Sequence, residues 1–151
     1  MSGSNDERFM RDAIAEAGKA ALVDEVPIGA VAVVDEKVVE RAYNVREKTN
    51  DPLGHSEILL LQKISREKKS WRLEDVTIYV TCEPCLMCAG AMIQARIKRV
   101  VFGCFDIKGG AFGSLYDFSK DERLNHRIEV SGGILSDECA KLLKDFFKKL
   151  R

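Results

Sequence analysis

The sequence predicts an α/β domain of three layers, with helices over both faces of a mixed sheet of about five strands, and three observations predict it. Residues 28–34 and 37–43 are β-rich runs flanking the short turn Asp35-Glu36, which is a hairpin signal. Residues 76–81 form a β-rich strand that leads through a helical stretch into the apolar strand 98–103, a β-α-β unit whose strands must run parallel. The complete order, α-β-β-α-β-α-β-α-β-α, alternates as a sheet covered on both faces does.

Each element has its own signal. Phe9, Ala13, Ile14, Ala17, Ala20 and Ala21 recur at helical spacing behind Ser4 and Asn5, so a first helix is predicted from about residue 6 to 23 with either polar residue as its cap. The hairpin follows Pro27 and ends at Asn44. Asp51-Pro52-Leu53-Gly54 breaks the chain, and a helix over residues 55–67 is predicted to bury Ile58, Leu59, Leu61, Gln62 and Ile64, with His55 and Glu57 in its first turn. Pro84 suits the first position of the next helix, which reaches about Arg96. A glycine-rich connection over 108–114, a short helical stretch, a strand near 127–130 and a helix from Ser136 to the end complete the chain.

At 151 residues the chain fits one domain, 1–151, because a chain of this size buries roughly 70% of its unfolded surface around one core. Its 24 Lys+Arg balance 24 Asp+Glu, so no global field recruits a polyanion and any such partner must be met by a local patch. A hydrophobic content of 46% excludes a disordered chain. The longest apolar run, 28–34, is far short of the ~20 residues that span a bilayer, and the first residues carry no secretory pattern, so the expected location is the cytoplasm, away from any membrane. Five cysteines are too few and too clustered for a disulfide scaffold. Cys104 and Cys139 read as buried small hydrophobes.

The chemistry concentrates in His55-Ser56-Glu57 and Pro84-Cys85-Leu86-Met87-Cys88, each at a predicted helix start. Cys85 and Cys88 lie three apart and project from one side of a helix, so with His55 they offer three corners of a zinc tetrahedron and leave the fourth for water. Helix N-termini help keep the thiols ionised. Glu57 stands two positions beyond His55, close enough to take a proton from that water and pass it to the ring nitrogen of an amino-substituted purine or pyrimidine. H-x-E with P-C-x-x-C is the general signature of zinc deaminases. Two plainer readings stay open at this point: a closed structural zinc site of His55, Cys82, Cys85 and Cys88 in a binding module, which leaves Glu57 without a role, and a dithiol redox site, which leaves His55-Ser56-Glu57 unexplained. Cys82 reads as lining the strand end beside the pocket, and His126 as a hydrogen-bonding histidine.

Longer segments carry a resemblance. Glu25-Val26-Pro27-Ile28-Gly29-Ala30-Val31, His55-Ser56-Glu57, Thr81-Cys82-Glu83-Pro84-Cys85-Leu86-Met87-Cys88-Ala89-Gly90-Ala91-Met92, Asp106-Ile107-Lys108-Gly109-Gly110-Ala111-Phe112-Gly113-Ser114 and Leu124-Asn125-His126-Arg127 resemble the bacterial tRNA-specific adenosine deaminases, within the zinc-dependent cytidine/deoxycytidylate deaminase superfamily. The resemblance spans nearly the whole chain. It implies a cytidine-deaminase-like fold, one Zn²⁺ per chain, a homodimer, and hydrolysis of adenosine to inosine at the wobble position of an arginine tRNA anticodon stem-loop. By the same resemblance His55, Cys85 and Cys88 are the zinc ligands and Glu57 the proton shuttle. Asn44 then hydrogen-bonds the flipped base, Ile28 walls its pocket, Asp106 and Lys108 lie beside the anticodon nucleotides, and Phe146 and Phe147 meet flanking bases or help form the pocket's mouth. Ser56 and Gly54 stand where the family usually has Ala, Leu53 where it has Thr, and Cys82 where Leu is common. Cysteine at that last position also occurs in guanine-deaminase-like relatives, so a free nucleobase deaminase is the competing substrate class.

The tail Lys141-Leu142-Leu143-Lys144-Asp145-Phe146-Phe147-Lys148-Lys149-Leu150-Arg151 mixes aromatics with bases, a composition suited to stacking and phosphate contact. It reads equally as an amphipathic helix packing its Leu and Phe face on the sheet. Arg96, Lys98 and Arg99 form a second basic group, whose plainer reading is a helix C-terminus complementing its dipole.

Overall fold

Alternation of side chains along buried strands dictates the architecture. In the computed structural model, which describes residues 2–150 and the side chains of 5–150, β1 (Gly29–Val34), β3 (Thr77–Cys82) and β4 (Arg99–Cys104) are apolar on both faces and almost wholly buried. Such strands need a layer on each side. Ala30, Ala32, Ile78, Val80, Val100 and Phe102 pack beneath α3 (Ser56–Lys68) and α4 (Leu86–Gln94). Val31, Val33, Tyr79 and Val101 face α1 (Ser2–Leu22) and α5 (Ser136–Lys149). With β2 (Lys37–Tyr43) and β5 (Glu129–Ser131) the sheet has the order β2-β1-β3-β4-β5. The β1 pairings are antiparallel, while β3-β4 and β4-β5 are parallel. This is the expected mixed five-stranded α/β sandwich, with a short α2 (Arg46–Thr49) that the sequence reading missed.

The hairpin turns at Asp35 and Glu36, both at positive φ (50° and 60°), the geometry whose twist suits a two-residue connection. Neither is glycine, and Asn5 Nδ2 donates to Glu36 Oε1 at 2.8 Å, tying α1 to the turn. Asn5 is therefore not a cap: α1 begins earlier, at Ser2. Gly29 is required by close packing, since a Cβ there would lie 2.3 Å from the Ala17 backbone nitrogen. α3 buries Leu60, Leu61 and Ile64 and leaves Gln62 exposed, so its inward face is rotated from the predicted one. Pro84 precedes α4 by two residues and Cys85 occupies the cap. Cys104 and Cys139 are buried among apolar residues as expected.

The remaining basic and histidine expectations resolve toward structure. Arg96 donates to the Ile93 carbonyl at 2.9 Å at the end of α4, and the His126 ring nitrogen bonds the Ile97 carbonyl at 2.7 Å. Arg99 makes two parallel bonds to Asp6 (2.9 Å each), while the Tyr79 hydroxyl donates to Asp6 Oδ1 at 2.7 Å. Burial alone would raise the Asp6 carboxyl, but hydrogen bonds from Arg99 and Tyr79 outweigh it and hold the group below the usual carboxylate range. Burial and the same bond push the Tyr79 phenol up, so it stays a donor.

Asp6→Ala removes the buried partner of Arg99, which keeps Glu129 and Ser131, and is expected to cost about 2 kcal/mol at pH 7, read by urea unfolding. Because the folded-state pKa of Asp6 is depressed, its contribution is complete above the unfolded-state value of about 3.9 and is lost as pH falls through the folded value. The gap between wild type and variant should therefore close below about pH 4. A gap unchanged down to the acid transition would contradict the assignment.

Candidate active site

The site forms where the C-terminal end of β3 meets the starts of α3 and α4. His55 caps α3 from an extended backbone conformation, and Cys85 caps α4 likewise. The two helix N-termini thus approach one point, and each contributes partial positive charge there. His55 Nδ1 lies 3.7 Å from Cys85 Sγ and 3.5 Å from Cys88 Sγ. Among the described residues these three form the one group of ligand atoms close enough to share a metal, all within 4.8 Å of one another. Zinc with Zn–S near 2.3 Å and Zn–N near 2.0 Å at tetrahedral angles sets a nitrogen–sulfur edge of about 3.6 Å, so the donor set fits. Contact with Cys88, and with the imidazole, holds the Cys85 thiol down to about 4. Cys88, beside that thiolate and buried, is pushed up, and Cys85 raises His55.

Glu57 is buried in the first turn of α3, and burial raises its carboxyl above the usual range. Ser56 donates its hydroxyl to Glu57 Oε1 at 2.9 Å, which fixes the carboxylate's orientation. A cavity of about 120 Å³ is lined by His55, Glu57, Cys85, Ile28, Asn44, Asp106, Cys82 and Glu83, with Val26, Arg46 and Ser56 completing the wall. A larger concavity, about 480 Å³ between α3 and α4, contains no ionisable side chain and is not where acid–base chemistry can occur.

The structure brings together His55, Glu57, Cys85, Cys88, Asn44, Ile28 and Asp106. Asn44 is held by its own backbone neighbours: Nδ2 donates to the Val26 carbonyl (3.3 Å) and Oδ1 accepts from the Arg46 N–H (3.2 Å). Lys108 is exposed two residues past Asp106, whose Oδ1 accepts its backbone N–H. Phe146 and Phe147 are not in the cavity wall. They pack edge to face on α5, where Phe147 lines a separate shallow depression with Leu143, Lys144 and Lys148. Arg151 lies outside the described residues. Cys82 stands at the cavity wall in register with Cys104, whose own thiol donates to the Thr81 carbonyl, and it is not among the ligand atoms that converge with His55, so the four-ligand closed site is not assembled.

Two buried carboxylates that shape the loops around this cavity carry no clear signal in the sequence. Glu25 accepts the backbone N–H groups of Glu47 and Lys48, satisfying the free donors at the start of α2 and so fixing the loop that carries Asn44. Glu83 does the same for the loop after β4. Their one signal is an acid set within an apolar, proline-containing run: Glu25-Val26-Pro27 and Glu83-Pro84.

Comparison with known proteins agrees with this geometry. The model of the MafB19-like deaminase family matches residues 4–151. A tRNA-specific adenosine deaminase of Bacillus subtilis (strain 168) is 46% identical over 148 residues, covering 98% of this chain and 92% of that protein. One from Haemophilus influenzae (strain Rd) is 44% identical, covering 97% and 85%. A solved structure from a study of A-to-I editing by tRNA:A34 deaminases at the wobble position of transfer RNA superimposes with a TM-score of 0.86 at 40% identity, covering 90% of this chain and 99% of that one.

Proposed function

Because this chain belongs to the MafB19-like deaminase family and to the tRNA-specific adenosine deaminases it aligns with along nearly its whole length, we propose that it hydrolyses adenosine to inosine at the wobble position of a tRNA anticodon, that of an arginine tRNA. The observation that carries this reading is the convergence of His55 Nδ1 with two thiols beside a buried, oriented Glu57 in a cavity that Asn44 also lines. His55, Cys85 and Cys88 hold one Zn²⁺ per chain, and residues 1–151 act as one domain. When bound, the metal supplies Lewis acidity that makes water nucleophilic near neutral pH.

Glu57 takes one proton of the attacking water and delivers it to the purine ring nitrogen, then takes the remaining proton of the added hydroxyl and delivers it to the amine, which leaves as ammonia as the C–N bond breaks. Asn44 and Ile28 hold the flipped base against the metal side of the cavity. An anticodon loop is a favourable target because its bases are already unpaired, which lowers the cost of swinging one into the pocket. Phe147, Lys148 and Lys149 on the exposed side of α5 offer stacking and phosphate contact to the same RNA. The apolar concavity between α3 and α4, with Trp71 59% exposed at its edge, supports a homodimer through that face. Among the described residues no helix is long and apolar enough to cross a membrane, and a tRNA substrate favours the cytoplasm.

The test is incubation with synthetic anticodon stem-loops and free nucleobases and nucleosides side by side. Inosine is expected from an adenosine-34 stem-loop, with free adenine, guanine and cytosine nearly untouched. Efficient conversion of free guanine with no inosine in any stem-loop would move the chain to the nucleobase deaminases and leave the hydrolytic site standing.

A further inference from the structure

Glu83 follows β3 directly, lies 3% exposed in the cavity wall, and takes no part in the chemistry assigned above. Its carboxylate is fully occupied. Oε1 accepts from the Asp106 N–H (3.1 Å) and the Ser114 hydroxyl, and Oε2 accepts from the N–H groups of Phe112 and Ser114 (3.1 Å each). Four donors match the roughly four acceptor positions of a carboxylate, so no lone pair is left to receive a proton from substrate. Gly110 leaves room for this group, since a Cβ there would fall 2.2 Å from the Glu83 carboxyl carbon. The same loop is pinned again beside the carboxylate, where the Ala111 N–H bonds the Pro84 carbonyl (2.9 Å) and Gly110 pairs with Cys85.

The clasp sets what the start of the loop presents, since Glu83 holds the Asp106 N–H. Asp106 enters the cavity, while Phe105 and Ile107 beside it are 51% and 76% exposed at the rim. We propose that Glu83 is a positioning residue that holds the 105–114 loop as a preformed rim of the pocket, so that it governs how well an RNA loop seats without entering proton transfer or metal binding. This rests on the RNA deaminase reading for its substrate, though not for the clasp itself.

Substitution by glutamine separates the roles. The two backbone N–H groups at Oε2 cannot reverse direction, whereas the Ser114 hydroxyl at Oε1 can, so the new amide NH₂ settles at Oε1 and confronts the Asp106 N–H. Glu83→Gln should therefore release Asp106 selectively. In the full-length protein the expected result is unchanged zinc content, faster amide exchange over 105–114, a KM for the stem-loop raised roughly tenfold, and kcat within about threefold of wild type. Ser114→Ala keeps every backbone bond and should shift KM only about twofold; it carries the same exchange and kinetic test if Glu83→Gln does not fold. Loss of metal from Glu83→Gln, a fall in kcat at constant KM, or unchanged exchange over the loop would each overturn the proposal. Should wild type make no inosine from any stem-loop, the substrate reading fails, while exchange and metal content still decide the clasp.

Discussion

Glu57→Gln is expected to abolish inosine formation, by about 10²–10⁴-fold or more, while leaving one metal per chain and an unchanged unfolding transition. The amide is the same size, and its carbonyl can accept the Ser56 hydroxyl as Glu57 Oε1 does at 2.9 Å, so the first turn of α3 has no reason to rearrange. What disappears is the ability to carry one proton of the water to the purine ring and the other to the departing amine. Glu57 is buried and shares the cavity with His55 and Cys85; of the other carboxylates in that wall, Glu83 is committed to four donors, and Asp106 is engaged through Oδ1 by the N–H groups of Lys108 and Gly109. Glu57 is the carboxyl of that wall set in the first turn of α3 beside His55, so its loss removes the shuttle. Single-turnover deamination of a stem-loop, with metal analysis on the same sample, measures both halves. A near-normal rate would transfer the shuttle to another group.

The parts of the fold that the sequence foretold are those with a strong local signal. Residues 37–43 form β2 as expected, because β-branched residues flank a turn that the pattern brackets on both sides. The parallel β3-β4 pair follows from a crossover helix of sufficient length. Errors arose where tertiary contacts outrank local preference. Proline at the first helical position is a common pattern, yet α4 starts two residues later because Glu83 and Pro84 are committed to the neighbouring strand and loop. Gln62 was given to the core in place of Leu60, since helical spacing alone fixes the stripe only to within a residue or so. The convergence of His55, Cys85 and Cys88 was readable because both short motifs sit at element starts, where chain direction limits the possibilities. Glu25 and Glu83 were not, because a carboxylate that binds backbone N–H groups leaves no pattern until those groups are placed. For the two phenylalanines composition suits stacking, while their place on α5, outside the cavity wall, follows from the packing of that helix on the sheet.

Cys85→Ala is expected to strip the metal to well below one equivalent and take activity to background, whereas Cys82→Ala retains both. Two thiolates and one imidazole neutralise a dication and fill three tetrahedral corners; with one thiolate gone, a histidine and a single cysteine remain, too few for a stable zinc site. The loss cannot be ascribed to unfolding, because Cys85 makes no side-chain cap bond to α4 and its backbone carbonyl, which alone accepts from Ala89 at 2.8 Å, is unchanged in alanine. Cys82 has the converse position. It sits in register with Cys104 on the parallel strand and outside the group that converges on His55, so shortening it trims the cavity wall without touching a ligand. Metal analysis and circular dichroism of both variants, prepared alongside wild type, separate the cases. Full metal occupancy in Cys85→Ala would break the three-ligand assignment, and metal loss confined to Cys82→Ala would restore Cys82 as a ligand and the closed site with it.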